Sequence, residues 1–179
     1  MAQPANFAAE SARAADLVIL GRSPEVEPNE GFKCESAPLL LTAGRPLLLV
    51  PPDFDKHSAD RIVVAWKAGR HTRLAVQQAL PLLARATSET VLGVGEETGR
   101  EELDDVSAYL RLHGAQTQTD WRGRGSKSVA NNVLESAINS GADLIVSGGY
   151  GRGRLQELIL GGVTQDLLGS SPICCLMSH

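Results

Sequence analysis

The sequence predicts an α/β protein: an open five-stranded parallel sheet with helices on both faces, preceded by a smaller β-α-β fragment. Three observations point there. From about residue 61 on, short apolar runs alternate with stretches whose apolar residues recur at helical spacing, the pattern of successive right-handed βαβ crossovers. Hydrophobic residues make up 42% of the 179-residue chain but aromatics only 4%, so the core must be Leu, Val, Ile and Ala, as in strands covered on both faces. A glycine-rich turn follows one apolar run near the C-terminus, where open α/β sheets bind their ligands.

Residues 1–52 read as one copy of an internal repeat. Ala15-Asp16-Leu17-Val18-Ile19-Leu20-Gly21 echoes Ala142-Asp143-Leu144-Ile145-Val146-Ser147-Gly148. Gly44-Arg45-Pro46-Leu47-Leu48-Leu49-Val50 echoes Gly169-Ser170-Ser171-Pro172-Ile173-Cys174-Cys175 at nearly the same separation. The same strand-helix-strand unit is therefore expected twice. In the first copy the connection Arg22–Phe32 carries Pro24, Pro28, Glu25, Glu27 and Glu30 and lacks the glycine loop, which makes it a poor anion site and an expected mobile segment. Pro51-Pro52-Asp53-Phe54-Asp55-Lys56 reads as a linker.

Beyond the linker, Ile62–Trp66 is an apolar strand, Thr72–Arg85 a helix, and Thr90–Val94 a second strand. Glu101–Leu112 is helical with Leu103, Val106 and Leu110 on one face, and Asp104-Asp105 falls on its wet side. Gln116–Trp121 alternates as a third strand at a sheet edge. Ser126 or Ser128 can cap a helix over Val129–Asn139. Strand Leu144–Ser147, helix Leu155–Leu168 and strand Ile173–Met177 complete the series. Cys174 and Cys175 are neighbours in a strand and should point to opposite faces as small buried hydrophobes.

The glycine turn carries the chemistry. Gly148, Gly151 and Gly161 form G-x2-G-x9-G between two strand-like runs. Glycines at a strand end let the backbone approach a ligand, and the helix that follows offers free N–H groups and a partial positive charge. Phosphate is expected against the N–H groups of Gly149 to Gly153 and of Gly162, Val163 and Thr164. Arg152 and Arg154 lie in the same loop, and arginine grips phosphate bidentately; the alternative is a pair of exposed solubilising side chains. A tight strand-helix turn that holds no ligand is the competing reading of the whole segment.

This spacing resembles the nucleotide-binding motif of the universal stress protein family, G-x2-G-x9-G-[S/T], with Gly162 in the position of the hydroxyl residue and Thr164 as the nearest hydroxyl. The resemblance implies an adenine nucleotide alpha hydrolase-like sheet of order 3-2-1-4-5. It covers residues 53–179 as a complete domain and 1–52 as the rear β-α-β half of another, as in a tandem member with a truncated first copy. In that family an acidic residue at the end of the first strand contacts the nucleoside. Here Trp66 and Lys67 stand at that end. A lysine cannot accept hydrogen bonds from ribose hydroxyls but can attract phosphate; its alternative is a solvated loop lysine. Trp66 either stacks on a base or packs the sheet, and packing is the commoner role.

The remaining features set limits. A net charge of −4 argues against a general nucleic-acid binder, and the basic tract Arg122, Arg124, Lys127 has no interleaved aromatics. No run reaches transmembrane length, no signal-peptide pattern opens the chain, and three cysteines form no disulfide framework, so a cytoplasmic location is expected. His57, His71, His113 and His179 do not sit at metal-ligand spacing. No nucleophile or general base accompanies the glycine turn, which favours binding over catalysis. The resemblance thus implies an ATP- or related nucleotide-binding stress-response domain, homodimeric through its last strands. The alternatives are a dimeric interaction module without nucleotide and a weak phosphohydrolase.

Overall fold

The computed structural model describes residues 4–22, 35–52, 58–149 and 162–179. The strands are β1 (Val18–Gly21), β2 (Leu47–Val50), β3 (Arg61–Trp66), β4 (Ser88–Val94), β5 (Thr117–Arg122), β6 (Leu144–Gly148) and β7 (Cys174–Ser178). The helices are α1 (Pro4–Ser11), α2 (Ser36–Thr42), α3 (Arg70–Leu83), α4 (Arg100–Leu112), α5 (Val129–Ser140) and α6 (Gly162–Ser170). The expected mobile connection falls largely on residues 23–34, outside the described residues; so do Cys34, most of the linker, and the first part of the helix expected from Leu155.

One sheet of seven strands runs β1-β2-β7-β6-β3-β4-β5. Its last five, β7-β6-β3-β4-β5, are parallel throughout and reproduce the order 3-2-1-4-5, with β5 at the edge. The sheet does not stop there. β2 adds to β7 antiparallel, Leu48 opposite Leu176, and β1 adds to β2 in parallel. The strand Leu47–Val50 thus pairs with the last strand within the chain. This pairing extends the five-stranded parallel sheet by the two strands of the fragment, the apolar β2 finding its cover on the free edge of β7. It also corrects the dimer route through the last strands, since β7 already has a neighbour on each side. Among the described residues the open edges are β1 and β5.

Side chains alternate across the strands and build two core layers. Ile62, Val64, Trp66, Val91, Leu144 and Val146 meet Ala75, Ala79 and Leu83 of α3 and Leu103, Val106 and Leu110 of α4. Val63, Leu92, Ile145 and Met177 meet Leu39 and Leu40 of α2, Val133 and Ala137 of α5, and Leu167 and Leu168 of α6. Cys174 joins the first layer and Cys175 the second, and burial pushes both thiols up to about 11. α5 has both its ends fixed by sequence. The Ser128 side chain accepts from the Asn131 N–H at 3.1 Å, and Gly141 takes the left-handed C-cap conformation at φ 65°.

Asp143 ties the amino ends of β3 and β6 together. Its carboxylate accepts from the Ser58 hydroxyl at 2.6 Å and from the Asp60 and Arg61 N–H groups, both at 3.0 Å. Burial alone would raise its pKa, but these hydrogen bonds outweigh it and hold the carboxyl below its ordinary range.

Candidate functional site

The carboxyl ends of β3, β4, β5 and β6 come together at one end of the sheet. Ala65 of β3 pairs with Ser147 of β6, so the glycine turn begins beside Trp66 and Lys67. On the other side Trp66 pairs with Gly93, and Val94 with Arg122. α6 starts at Gly162, and as the crossover from β6 to β7 it presents its amino end on this same side.

Gly148 is required here for a different reason than ligand approach. A Cβ on it would lie 2.6 Å from the Thr72 backbone N, 2.7 Å from the Thr72 hydroxyl and 2.9 Å from the His71 carbonyl carbon. The first turn of α3 is packed directly onto it. Gly149 is also committed. Its N–H donates to the Ser178 carbonyl at 2.8 Å, so it is not turned toward a phosphate as the sequence suggested. Gly162 is exposed with open space around it, Val163 packs against the α2–α5–α6 layer, and Thr164 is buried. Gly151, Arg152, Arg154 and Gly161 lie outside the described residues.

Trp66 belongs to the core. It is 8% exposed under α4, and its indole N–H donates to Glu102 at 2.8 Å, which removes it as a base-stacking face. Lys67 points out at the end of β3 and forms an ion pair with Glu97 of the β4–α4 loop. The hydrogen bond and charge of Lys67, with a smaller pull from Arg124, hold the Glu97 carboxyl below its ordinary range. The loop itself is anchored. The Trp121 indole N–H donates to the carbonyls of Gly95 at 3.2 Å and Thr98 at 2.9 Å, and the Arg100 guanidinium lies 5.2 Å from the centre of the Trp121 ring.

The second basic tract is largely spent on neighbours. Arg122 pairs with Asp120 at 2.8 Å and Lys127 with Glu135 at 2.7 Å. At the start of α3, the His71 ring stacks on His179 with centroids 4.4 Å apart. Burial, then the nearby His71 and Arg70, hold His179 below the ordinary imidazole value. Among the described residues no group of three or more His, Cys, Asp or Glu could hold a metal ion, and no helix is long and apolar enough to cross a membrane. Sequence reading passed over Glu97. The signal for it was Gly95-Glu96-Glu97-Thr98-Gly99, an acidic loop bounded by glycines at the carboxyl end of a strand.

No family model matches the chain, and no curated protein matches it. Solved structures do. A universal stress protein from Archaeoglobus fulgidus DSM 4304 superposes with a TM-score of 0.75 at 16% identity, over 98% of this chain. The chain has the universal stress protein fold. It spans 64% of the length of that relative. Over 69% of this chain it also matches all of a universal stress protein from Lactobacillus plantarum, with a TM-score of 0.53 and 16% identity. A protein of the universal stress protein family from Burkholderia pseudomallei matches at 0.54 and 23% identity, over 66% of this chain and 95% of its own. The universal stress protein fold accounts for the alternation of β3–β7 with α3–α6 and for the place where their carboxyl ends meet.

Proposed function

We propose that this chain is a nucleotide-binding domain of the universal stress protein type, taking ATP or a related adenine nucleotide and acting in a stress response through binding rather than catalysis. The observation that carries the reading is the junction of β6 and β3. The G-x2-G-x9-G segment leaves the sheet beside the end of its central strand and returns at the exposed start of α6. Phosphates would lie against the N–H groups from residue 150 onward and those of Gly162 to Thr164, with Arg152 as the cation the sequence offers. Calorimetric titration with ATP, ADP and AMP tests this. Gly151→Val adds a side chain where the backbone must approach and should weaken ATP binding at least tenfold, about 1.4 kcal/mol. Unchanged affinity in the folded variant refutes the site.

A second reading has its own support. Gly148 is explained by α3 packing and the Gly149 N–H by the β7 carbonyl, so both glycines have roles without a ligand. On that reading the domain is an interaction module that binds no nucleotide, and no heat of binding at millimolar ATP would establish it. A phosphate-release assay addresses the weak phosphohydrolase. We propose a cytoplasmic homodimer on either reading, formed not through β7 but through β1. Among the described residues that strand has no neighbour on its outer side, and Ile19 on it is 64% exposed.

A further inference from the structure

Lys67 closes the central strand β3 with a cation, yet the structure sets a carboxylate directly onto it from the neighbouring loop. We propose that Glu97 receives the ribose 2′-hydroxyl of the bound nucleotide, so that this site selects ribonucleotides over deoxyribonucleotides. The inference rests on the nucleotide reading above and names the residue that would read the sugar.

Four observations converge on Glu97. A carboxylate offers about four acceptor positions, and the Lys67 ammonium occupies Oε2 alone. The side chain is 70% exposed, so the remaining acceptors are open to an incoming ligand. Its place is right: β3 lies between β6 and β4, so the loop after β4 is two strands, roughly 10 Å, from the start of the glycine turn. A carboxylate at the carboxyl end of an open α/β sheet, set apart from the phosphate loop, is the usual partner of ribose hydroxyls. Finally, the loop is held in place before any ligand arrives by the two Trp121 hydrogen bonds, which lowers the ordering cost of binding.

Lys67 then has a positioning role. It fixes the carboxylate and, with Arg124, cancels its charge, so that an acid this close to a polyphosphate does not repel it.

The test compares ATP with 2′-deoxy-ATP by calorimetry on the full chain. Wild type should prefer ATP by about tenfold, the worth of a hydrogen bond to a charged acceptor. Glu97→Ala should weaken ATP to the level of 2′-deoxy-ATP and leave the deoxynucleotide unchanged. Both residues of the pair are exposed, so the variant is expected to fold, and an unchanged melting curve confirms that. If Glu97→Ala keeps the wild-type preference, the sugar is read elsewhere and this inference fails while the nucleotide site stands. If Glu97→Ala binds ATP more tightly, Glu97 competes with phosphate for Lys67 and the inference is overturned. If wild type binds neither nucleotide at millimolar concentration, the nucleotide reading falls, and this inference with it.

Discussion

Replacing Gly148 with alanine tests how the candidate site is built. The new methyl group would sit 2.6 Å from the Thr72 backbone N and 2.9 Å from the His71 carbonyl carbon. Both are main-chain atoms in the first turn of α3, so neither can swing aside as a side-chain tip can. Either α3 moves off β6 or β6 bends, and overpacking of that kind costs about 1–3 kcal/mol. For a chain of this size each kcal/mol lowers Tm by roughly 2–4 °C, so a fall of about 4–8 °C is expected for a mid-range cost. Gly162→Ala is the control. Nothing lies within 4 Å of its added Cβ, and the residue opens α6, so stability should hold or rise by up to about 1 kcal/mol. Thermal melts followed by circular dichroism would compare the two. A Gly148→Ala protein that melts with wild type would show that α3 is not packed on β6 as described.

Three further outcomes follow from the geometry. Glu89 is fully buried, and among the described residues neither carboxyl oxygen has a well-formed hydrogen bond; burial raises its pKa above the ordinary 4.5, and weaker contacts with the Gln116 backbone and its own backbone only partly offset that. The folded state therefore holds this proton more tightly than the unfolded chain. Its contribution is fully present below about pH 4.5 and is lost as pH rises through the folded value. Glu89→Met should remove that dependence and be more stable near neutral pH by about 1–3 kcal/mol; identical urea midpoints from acid to neutral pH would contradict this. Ser128→Ala removes the cap on α5 and should cost about 1 kcal/mol, whereas Lys127→Ala, which loses only an exposed ion pair with Glu135, should stay within about 0.5 kcal/mol by the same denaturation assay. Deleting residues 1–52 removes β1 and strips β2 from β7, opening an edge at Cys175, Leu176 and Met177, each at most 1% exposed in the intact chain, so light scattering should show the shortened chain associating through β7. A monodisperse monomer after the deletion would count against it.

The order of elements from β3 to β7 was readable because β3, β4 and β6 are short apolar runs rich in Val, Ile or Leu, β5 alternates, and helices repeat their apolar faces, as Leu103, Val106 and Leu110 do. Local chemistry was readable too, since Ser128 both precedes the helix and caps it. α1 was not, because Pro4–Ser11 is a short alanine-rich stretch that buries only Ala5 and draws its order from packing. The joining of β2 to β7 within one chain is a long-range pairing that no local pattern in either strand announces. At the site, glycine spacing located the turn but mistook why Gly148 is glycine. Sequence shows a missing Cβ without showing what occupies its place, here the backbone of Thr72. The Lys67–Glu97 pair joins residues 30 positions apart across a parallel crossover, so no local pattern announces it.

The most direct test of nucleotide binding at the carboxyl ends of β3 and β6 is a crystal structure of the chain grown with millimolar ATP. The account predicts phosphates between the glycine turn and the start of α6, with the ribose against Glu97. ATP bound elsewhere, or a site that stays empty at that concentration, would contradict it.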